Sequence, residues 1–242
     1  MADFRTQQQG SDYFLFDTEF FEQIDRQHFQ PEFWQTQNAI TGQERGRGTT
    51  WFVRHGEKEL VLRHYLRGGF VARFNKDNYW FRGWPQCRSI NEFTTLHAAH
   101  QLGLPVPRPV AAYARRSGLL YQADILLERI PHARDLIRVL QQAQDEDFYH
   151  RLGQCIARLH KARIYHPDLN IKNIMVDAEG KFWLIDFDRA VVQEGQLTQE
   201  AEVLARLKRS FNKEVGRHGI QWREENWEEM MLGYEGNSAL TG

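Results

Sequence analysis

The 242-residue chain predicts an α+β fold in two lobes, strand-rich toward its N-terminus and helical toward its C-terminus. Three observations carry this expectation. Runs of β-branched and aromatic residues, punctuated by glycine turns, occupy residues 49–65 and 111–127. One helical pattern separates them, between Ser89 and Leu102. The sustained helical periodicities come after residue 144. The division expected is an N-terminal arm (1–35), an N-lobe of antiparallel sheet plus one helix (36–127), and a reduced helical C-lobe (128–242).

Taken in order, residues 1–35 are polar with scattered aromatics and predict an irregular arm with a short helix after Asp17. Thr49–Val53 and Glu59–Tyr65 predict a hairpin turned at His55-Gly56-Glu57-Lys58, and Arg67-Gly68-Gly69 a second turn. Ser89-Ile90-Asn91-Glu92 matches a capping box, with Ile90, Phe93, Leu96 and, less regularly, Leu102 following. Gly103 ends that helix, and Leu104–Pro109 is extended because proline disfavours helix in the residue before it. Ala111–Tyr113 and Leu119–Leu127 predict strands around a turn at Arg115–Gly118. Phe148, Leu152, Ile156 and Leu159 share one face of a helix from Asp145 to Arg163. Asn173–Val176 and Lys181–Ile185 form a short hairpin, and Leu197–Met231 is mostly helical before fraying into Gly236–Gly242.

Composition narrows the setting. Hydrophobic residues at 41% are too many for a disordered chain, and a net charge of -1 provides no global attraction for nucleic acid. Charge is nonetheless uneven. Residues 41–90 hold ten Lys/Arg against four Asp/Glu, either a solvated basic face or a surface for phosphate-bearing ligands. Cys87 and Cys155 form no CxxC pattern and no disulfide framework, which points to a reducing cytosol. There is no apolar run long enough to span a bilayer and no signal-peptide layout at Met1–Gly10, so any membrane association is expected to be peripheral.

The chemistry concentrates in His166-Pro167-Asp168-Leu169-Asn170-Ile171-Lys172-Asn173 and Leu184-Ile185-Asp186-Phe187-Asp188, with a hairpin between them. Phosphoryl transfer needs a group that orients an attacking hydroxyl and accepts its proton, and hard oxygen ligands for the divalent cation on the nucleotide phosphates. Asp168 suits the first role, and Asn173 and Asp186 suit the second. Each Asp alone would be an ordinary turn or cap residue; the register of His, Asp, Asn, hairpin and Asp is what singles them out.

The expected companions lie upstream. Gly46-Arg47-Gly48-Thr49-Thr50-Trp51 is either a glycine turn over phosphates, with Trp51 where a third glycine would stand, or a plain β-turn. No G-K-[ST] occurs, so a Walker-type loop is excluded. Arg63, in Val61-Leu62-Arg63, is either a phosphate-binding cation or an exposed strand residue. Glu92 is either its carboxylate partner or the N3 residue of the Ser89 capping box. Leu126–Ile130, including Glu128, falls where the protein-kinase-like superfamily, which the Asp168 and Asp186 blocks resemble, links its lobes and meets adenine with backbone groups. The glycines, Arg63 and this hinge would then surround one nucleotide cleft. Lys172 either touches the transferred phosphoryl group or faces solvent. Trp80, Phe81 and Trp84, beside Arg82, are either core or a membrane interface.

The two C-terminal blocks resemble the H-R-D-x-x-x-x-N and D-F-G loops of the protein-kinase-like superfamily, eighteen residues separating Asp168 from Asp186. Pro167 in place of Arg, Asp188 in place of Gly, and only 56 residues after Asp186 without A-P-E argue against a protein substrate. Val61-Leu62-Arg63-His64-Tyr65-x-Arg67-Gly68-Gly69, Gly103–Pro109, Glu128-Arg129-Ile130-Pro131, Tyr165-His166-x-Asp168-Leu169-Asn170 and Leu184–Arg189 resemble lipopolysaccharide kinases over roughly residues 40–190. The resemblance implies a protein-kinase-like bilobal fold, ATP and Mg2+. It further implies transfer to a hydroxyl, the 4-hydroxyl, of 3-deoxy-D-manno-octulosonic acid (Kdo) on lipid A, by an enzyme peripheral to the cytoplasmic face of the inner membrane. The acceptor's carboxylate and phosphates would suit the basic stretch, and each cation near an anionic surface adds about 1 kcal/mol of attraction. A kinase of heptose, an aminoglycoside or choline shares the same motif residues, and a catalytically silent scaffold would keep the fold. A nucleic-acid partner is not expected, since no recognisable module for one occurs.

Overall fold

The computed structural model describes residues 4–46, 48–67 and 77–238. The predicted turn at Gly68-Gly69 lies outside them, as do Arg47, Arg73 and Lys76 of the basic stretch. Two compact units result, Met1–His97 with Pro107–Arg129, and Ala98–Val106 with Ile130–Gly242.

The first unit is built on one antiparallel sheet. Its order runs β1 (Phe4–Gln9), β2 (Asp12–Asp17), β7 (Pro109–Ser117), β8 (Leu120–Glu128), β5 (Lys58–His64), β4 (Thr49–His55) and β3 (Ile40–Arg45), with β6 (Tyr79–Trp80) also paired to β8. The predicted β4–β5 hairpin forms, and Gly56 at its turn takes φ +58° at no steric cost. The β7–β8 connection is shorter than expected, because Arg115–Ser117 continue the strand and only Gly118 and Leu119 turn.

The arm expected at residues 1–35 is not irregular. Phe14, Leu15 and Phe16 of β2 are all buried, and β2 is paired on both sides, by β1 and by β7. Three consecutive large apolar side chains need more cover than a solvent-exposed arm gives. Asp25 caps a 3-10 turn at Arg26–Phe29, and Pro31 opens α1 (Pro31–Thr36), whose Trp34 is buried with its indole N–H donated to the His28 carbonyl at 2.9 Å. Phe14, Phe16, Phe29, Trp34, Val53 and Leu62 belong to one core. Ile90, Phe93 and Leu96 of α2 (Arg88–Gln101) are buried as their spacing predicts, whereas Leu102 lies past the helix end and is exposed.

In the second unit, α4 (Glu146–Lys161) starts where Asp145 accepts the Phe148 N–H at 2.8 Å, and buries Phe148, Leu152, Ile156 and Leu159. Around it come β9 (Arg134–Asp135), α3 (Leu136–Val139), β10 (Ile164–Tyr165), β11 (Ile174–Val176), β12 (Phe182–Leu184), β13 (Val191–Val192), α5 (Glu200–His218) and α6 (Glu224–Ser238). The mostly helical tail is formed by two helices, because Gly219 adopts φ +63° and ends α5. The helix continues through Gly236 rather than fraying there. Two glycines let α4 and α6 meet backbone to backbone: a Cβ on Gly153 would lie 1.9 Å from the Met230 carbonyl oxygen, and one on Gly233 2.0 Å from that of His150. Both cysteines are free and buried, their thiols pushed up to about 12 by desolvation. Among the described residues no helix is long and apolar enough to cross a membrane.

Candidate active site

The second unit brings Asp168, Asn173 and Asp186 together through short-range backbone bonds. After β10, His166 is buried against the edge of Phe187, ring centroids 4.8 Å apart. Desolvation lowers its pKa, so the ring is neutral, and Nε2 donates to the Ile185 carbonyl at 3.2 Å. The chain then turns tightly, Leu169 N–H to His166 carbonyl, with Leu169 and Ile171 fully buried as anchors. Asn170 shapes the loop from both ends of its amide. Oδ1 accepts the Lys172 N–H at 2.9 Å, and Nδ2 donates to the Asp168 carbonyl at 2.6 Å.

Asn173 joins the two motif blocks. Its side-chain NH2 donates to the Asp168 carbonyl at 3.1 Å, and its own carbonyl accepts the Ile185 N–H at 3.0 Å. Because the NH2 is committed to a carbonyl, the amide orientation is fixed and Oδ1 is the end that can ligate a cation. Asp186 follows Ile185 with φ +66°, a left-handed conformation that costs a non-glycine residue roughly 1–3 kcal/mol. Fully buried Phe187 and the Ala190 N–H bond to the Phe187 carbonyl hold the chain there. Behind the hairpin, the Pro105 carbonyl accepts the Leu184 N–H at 2.9 Å, which gives the Leu104–Pro109 segment a supporting role.

Two arginines that sequence reasoning left without a role grip the Asp168 carboxylate. Arg189 reaches Oδ2 at 3.1 Å and Arg206 of α5 reaches Oδ1 at 2.9 Å. Arg189 could have been suspected from its place just beyond Asp186; nothing near Arg206 marks it. Both forks fix the direction of the carboxylate, and Asp168 stays one-quarter exposed. Lys172 is half exposed, as its solvent-facing alternative expects, and pairs with the buried Glu214 of α5 at 3.4 Å.

The first unit carries the nucleotide candidates. Arg63 on β5 places a guanidinium nitrogen 2.5 Å from the carboxylate of Glu92, whose side chain is fully buried. The Tyr65 hydroxyl donates to the same carboxylate oxygen, and the Arg63 guanidinium lies 5.0 Å from the Tyr65 ring centroid. Burial and the Glu92 charge raise the Tyr65 pKa well above its ordinary value. The capping-box alternative for Glu92 fails on geometry. The helix begins at Arg88, and Ser89, already inside it, donates its hydroxyl to the Tyr113 carbonyl at 2.7 Å.

Gly46 and Gly48 occupy the β3–β4 turn, closed by the Gly46 N–H bond to the Gly48 carbonyl at 2.8 Å. Thr50, just beyond, is the register partner of Arg63. A Cβ at Gly48 would fall 2.5 Å from Leu66 Cδ1, so the turn is drawn close to the β5 exit. Glu128 is not part of the Arg63 cluster. It stands at the opposite end of β5, its carboxylate on Lys58 at 2.6 Å and its N–H on the Arg108 carbonyl. The basic stretch is likewise partly committed: besides Lys58 and Arg63, Arg67 and Arg88 stack on Tyr79, leaving Arg45, Arg54 and Arg82 among the exposed cations.

Among the described residues no cluster of three His, Cys, Asp or Glu side chains is placed to hold a metal. One amide oxygen and one carboxylate match a magnesium ion that takes its remaining ligands from nucleotide phosphates and water.

Residues 31–234 match the family profile described as Lipopolysaccharide kinase (Kdo/WaaP) family. Relatives similar to the chain include the 3-deoxy-D-manno-octulosonic acid kinase of Vibrio vulnificus, 44% identical over 95% of this chain and 97% of its own length. That of Vibrio cholerae is 46% identical over 81% and 83%, respectively, and that of Haemophilus influenzae 43% over 94% and 98%.

Proposed function

Because the chain belongs to the lipopolysaccharide kinase (Kdo/WaaP) family, and so transfers phosphoryl groups to a hydroxyl, we propose that it phosphorylates the 4-hydroxyl of a Kdo residue on lipid A, with ATP as donor, at the cytoplasmic face of the inner membrane. The observation that carries the reading is the side chain of Asn173, bonded to the Asp168 carbonyl while its backbone is bonded to the residue before Asp186. One residue thereby sets the spacing between the base and the acidic ligand.

Asp168 orients the acceptor hydroxyl and takes its proton late in transfer. Arg189 and Arg206 keep the carboxylate aimed. Asn173 Oδ1 and Asp186 hold Mg2+, which when bound neutralises phosphate charge. Arg63, kept in place by Glu92 and Tyr65, contacts the nucleotide phosphates, and the Gly46–Gly48 turn covers them. The backbone after Glu128 receives adenine; its carboxylate serves Lys58 instead. The exposed arginines of the basic stretch receive the acceptor's carboxylate and phosphates.

Incubation with γ-labelled ATP and three acceptors tests this: Kdo-bearing lipid A, lipid A without Kdo, and Kdo-bearing lipid A blocked at the 4-hydroxyl. Label should enter only the first. Label on the blocked acceptor overturns the regiochemistry, and label on heptose, an aminoglycoside or choline in preference to Kdo overturns the acceptor.

A further inference from the structure

The β6–β8 end of the sheet carries exposed apolar side chains that no part of the phosphotransfer machinery uses. Trp80 is 63% exposed and Leu119 68%, the two most exposed large apolar residues among those described in the first unit. They are neighbours in the sheet. Trp80 pairs with Leu120 across β6 and β8, and the next residue, Phe81, donates its N–H to the Leu119 carbonyl at 2.9 Å. Isolated exposed apolar residues are ordinary, as Leu102 and Leu232 are here, but a tryptophan and a leucine at one strand end are not isolated.

The surroundings are rigid and cationic. Phe81 and Trp84 meet edge to face at 4.8 Å, Trp84 stacks on Tyr13 at 5.0 Å, and the Arg116 guanidinium lies 4.6 Å from the Phe81 ring centroid. Those aromatics are therefore packed, and they support the tip rather than project from it. Residues 78–90 and 114–123 together contain Arg82, Arg88, Arg115 and Arg116 and no Asp or Glu. Arg82 and Arg116 are exposed, flanking the tip. An amphipathic indole at the end of a stiff strand pair, beside the exposed Arg82 and Arg116, matches a phospholipid headgroup layer in both polarity and charge, while the acids Asp12 and Asp77 are engaged by Arg115 and Gln122.

We infer that Trp80 and Leu119, with Arg82 and Arg116 beside them, form a docking surface for an anionic phospholipid bilayer. This deepens the reading of a peripheral enzyme with a lipid-linked acceptor, and it is tested without reference to catalysis. The full chain is sedimented with vesicles of phosphatidylethanolamine and phosphatidylglycerol, and separately with phosphatidylcholine vesicles. Wild type should partition onto the anionic vesicles and release in high salt. Trp80→Ser combined with Leu119→Ser should lower that partitioning roughly tenfold, and Arg116→Gln roughly fivefold.

Thermal melting and phosphorylation of a deacylated, water-soluble Kdo acceptor should not change in either variant, which separates surface loss from misfolding. Equal partitioning of wild type and both variants overturns the surface. So does a wild-type dimer that the double substitution makes monomeric while vesicle binding persists, since the patch would then join two copies of the chain. Vesicle binding that is lost in the variants, in a protein that phosphorylates no Kdo acceptor, leaves the surface standing and the kinase reading refuted.

Discussion

The two units hold their chemistry in opposite ways. In the second, Asp168, Asn173 and Asp186 are linked by bonds spanning few residues along one loop and its hairpin, and the reactive carboxylate stays partly in solvent between two exposed arginines. In the first, Arg63 and Glu92 are 29 residues apart in the chain, and the carboxylate is fully buried. The Asp168 carboxylate is placed for function and contributes little to holding the fold, which its buried neighbours Leu169 and Ile171 do; the ion pair does both. A partly exposed charge can be altered at small structural cost, whereas removing one partner of a buried pair is expensive.

Substitutions in the two units should therefore separate rate from stability, and the largest effect on rate belongs to the second. Asp186→Ala should lower kcat by about a thousandfold or more, through lost metal-dependent charge neutralisation. Its melting temperature should fall by only a few degrees, because alanine tolerates the left-handed φ of +66° less well than aspartate does; magnesium titration of the residual rate measures the first effect and calorimetry the second. A variant that unfolds would show the loop to be structural after all.

Arg63→Ala should do both kinds of damage. Stability should fall by about 3 kcal/mol, the low end for breaking a buried pair since Arg63 is itself partly exposed, and the KM for ATP should rise. Denaturant unfolding with and without nucleotide reads the two together. Unchanged stability would make the pair no different from the loop.

A buried histidine supplies a pH test of the second unit's scaffold. His160 of α4 bonds the Tyr234 hydroxyl at 2.8 Å, and burial pulls its pKa from 6.5 to about 4. Between those values the unfolded chain binds a proton that the native protein does not. Stability from this group is therefore lost as pH falls below 6.5, and the loss levels off near 4, on the order of 3 kcal/mol in all. Replacement by Gln, which keeps a partner for Tyr234, should flatten that part of the stability curve; an unaltered slope would assign the pH dependence to other groups. Lys172→Ala should have the smallest effect, about 1 kcal/mol or less of stability and little of rate, since the lysine is half exposed and pairs with Glu214.

What sequence could disclose follows the same division. The base, the amide and the second acid stand in one run of letters with a hairpin between, so their juxtaposition is local and readable. Arg206 comes from α5, with no nearby motif, and its grip on Asp168 exists only once that helix is placed. Ser89-x-x-Glu92 spelled a capping box, yet the helix started upstream and freed Glu92 for Arg63; a helix boundary two residues off reversed the meaning of the pattern. Strand β1, Phe-Arg-Thr-Gln-Gln-Gln, has little strand character of its own. Its conformation comes from a tight hairpin with the apolar β2, which is in turn fixed by β7 far along the chain, a non-local cause that composition cannot reveal.

The most direct test is a single-turnover transfer from γ-labelled ATP to Kdo-bearing lipid A by wild type and Asp168→Ala at saturating Mg2+. The account predicts that the variant binds nucleotide as wild type does, melts within about 1 kcal/mol of it, and transfers label at least a hundredfold more slowly. Transfer at the wild-type rate would contradict the account and remove Asp168 from the reaction.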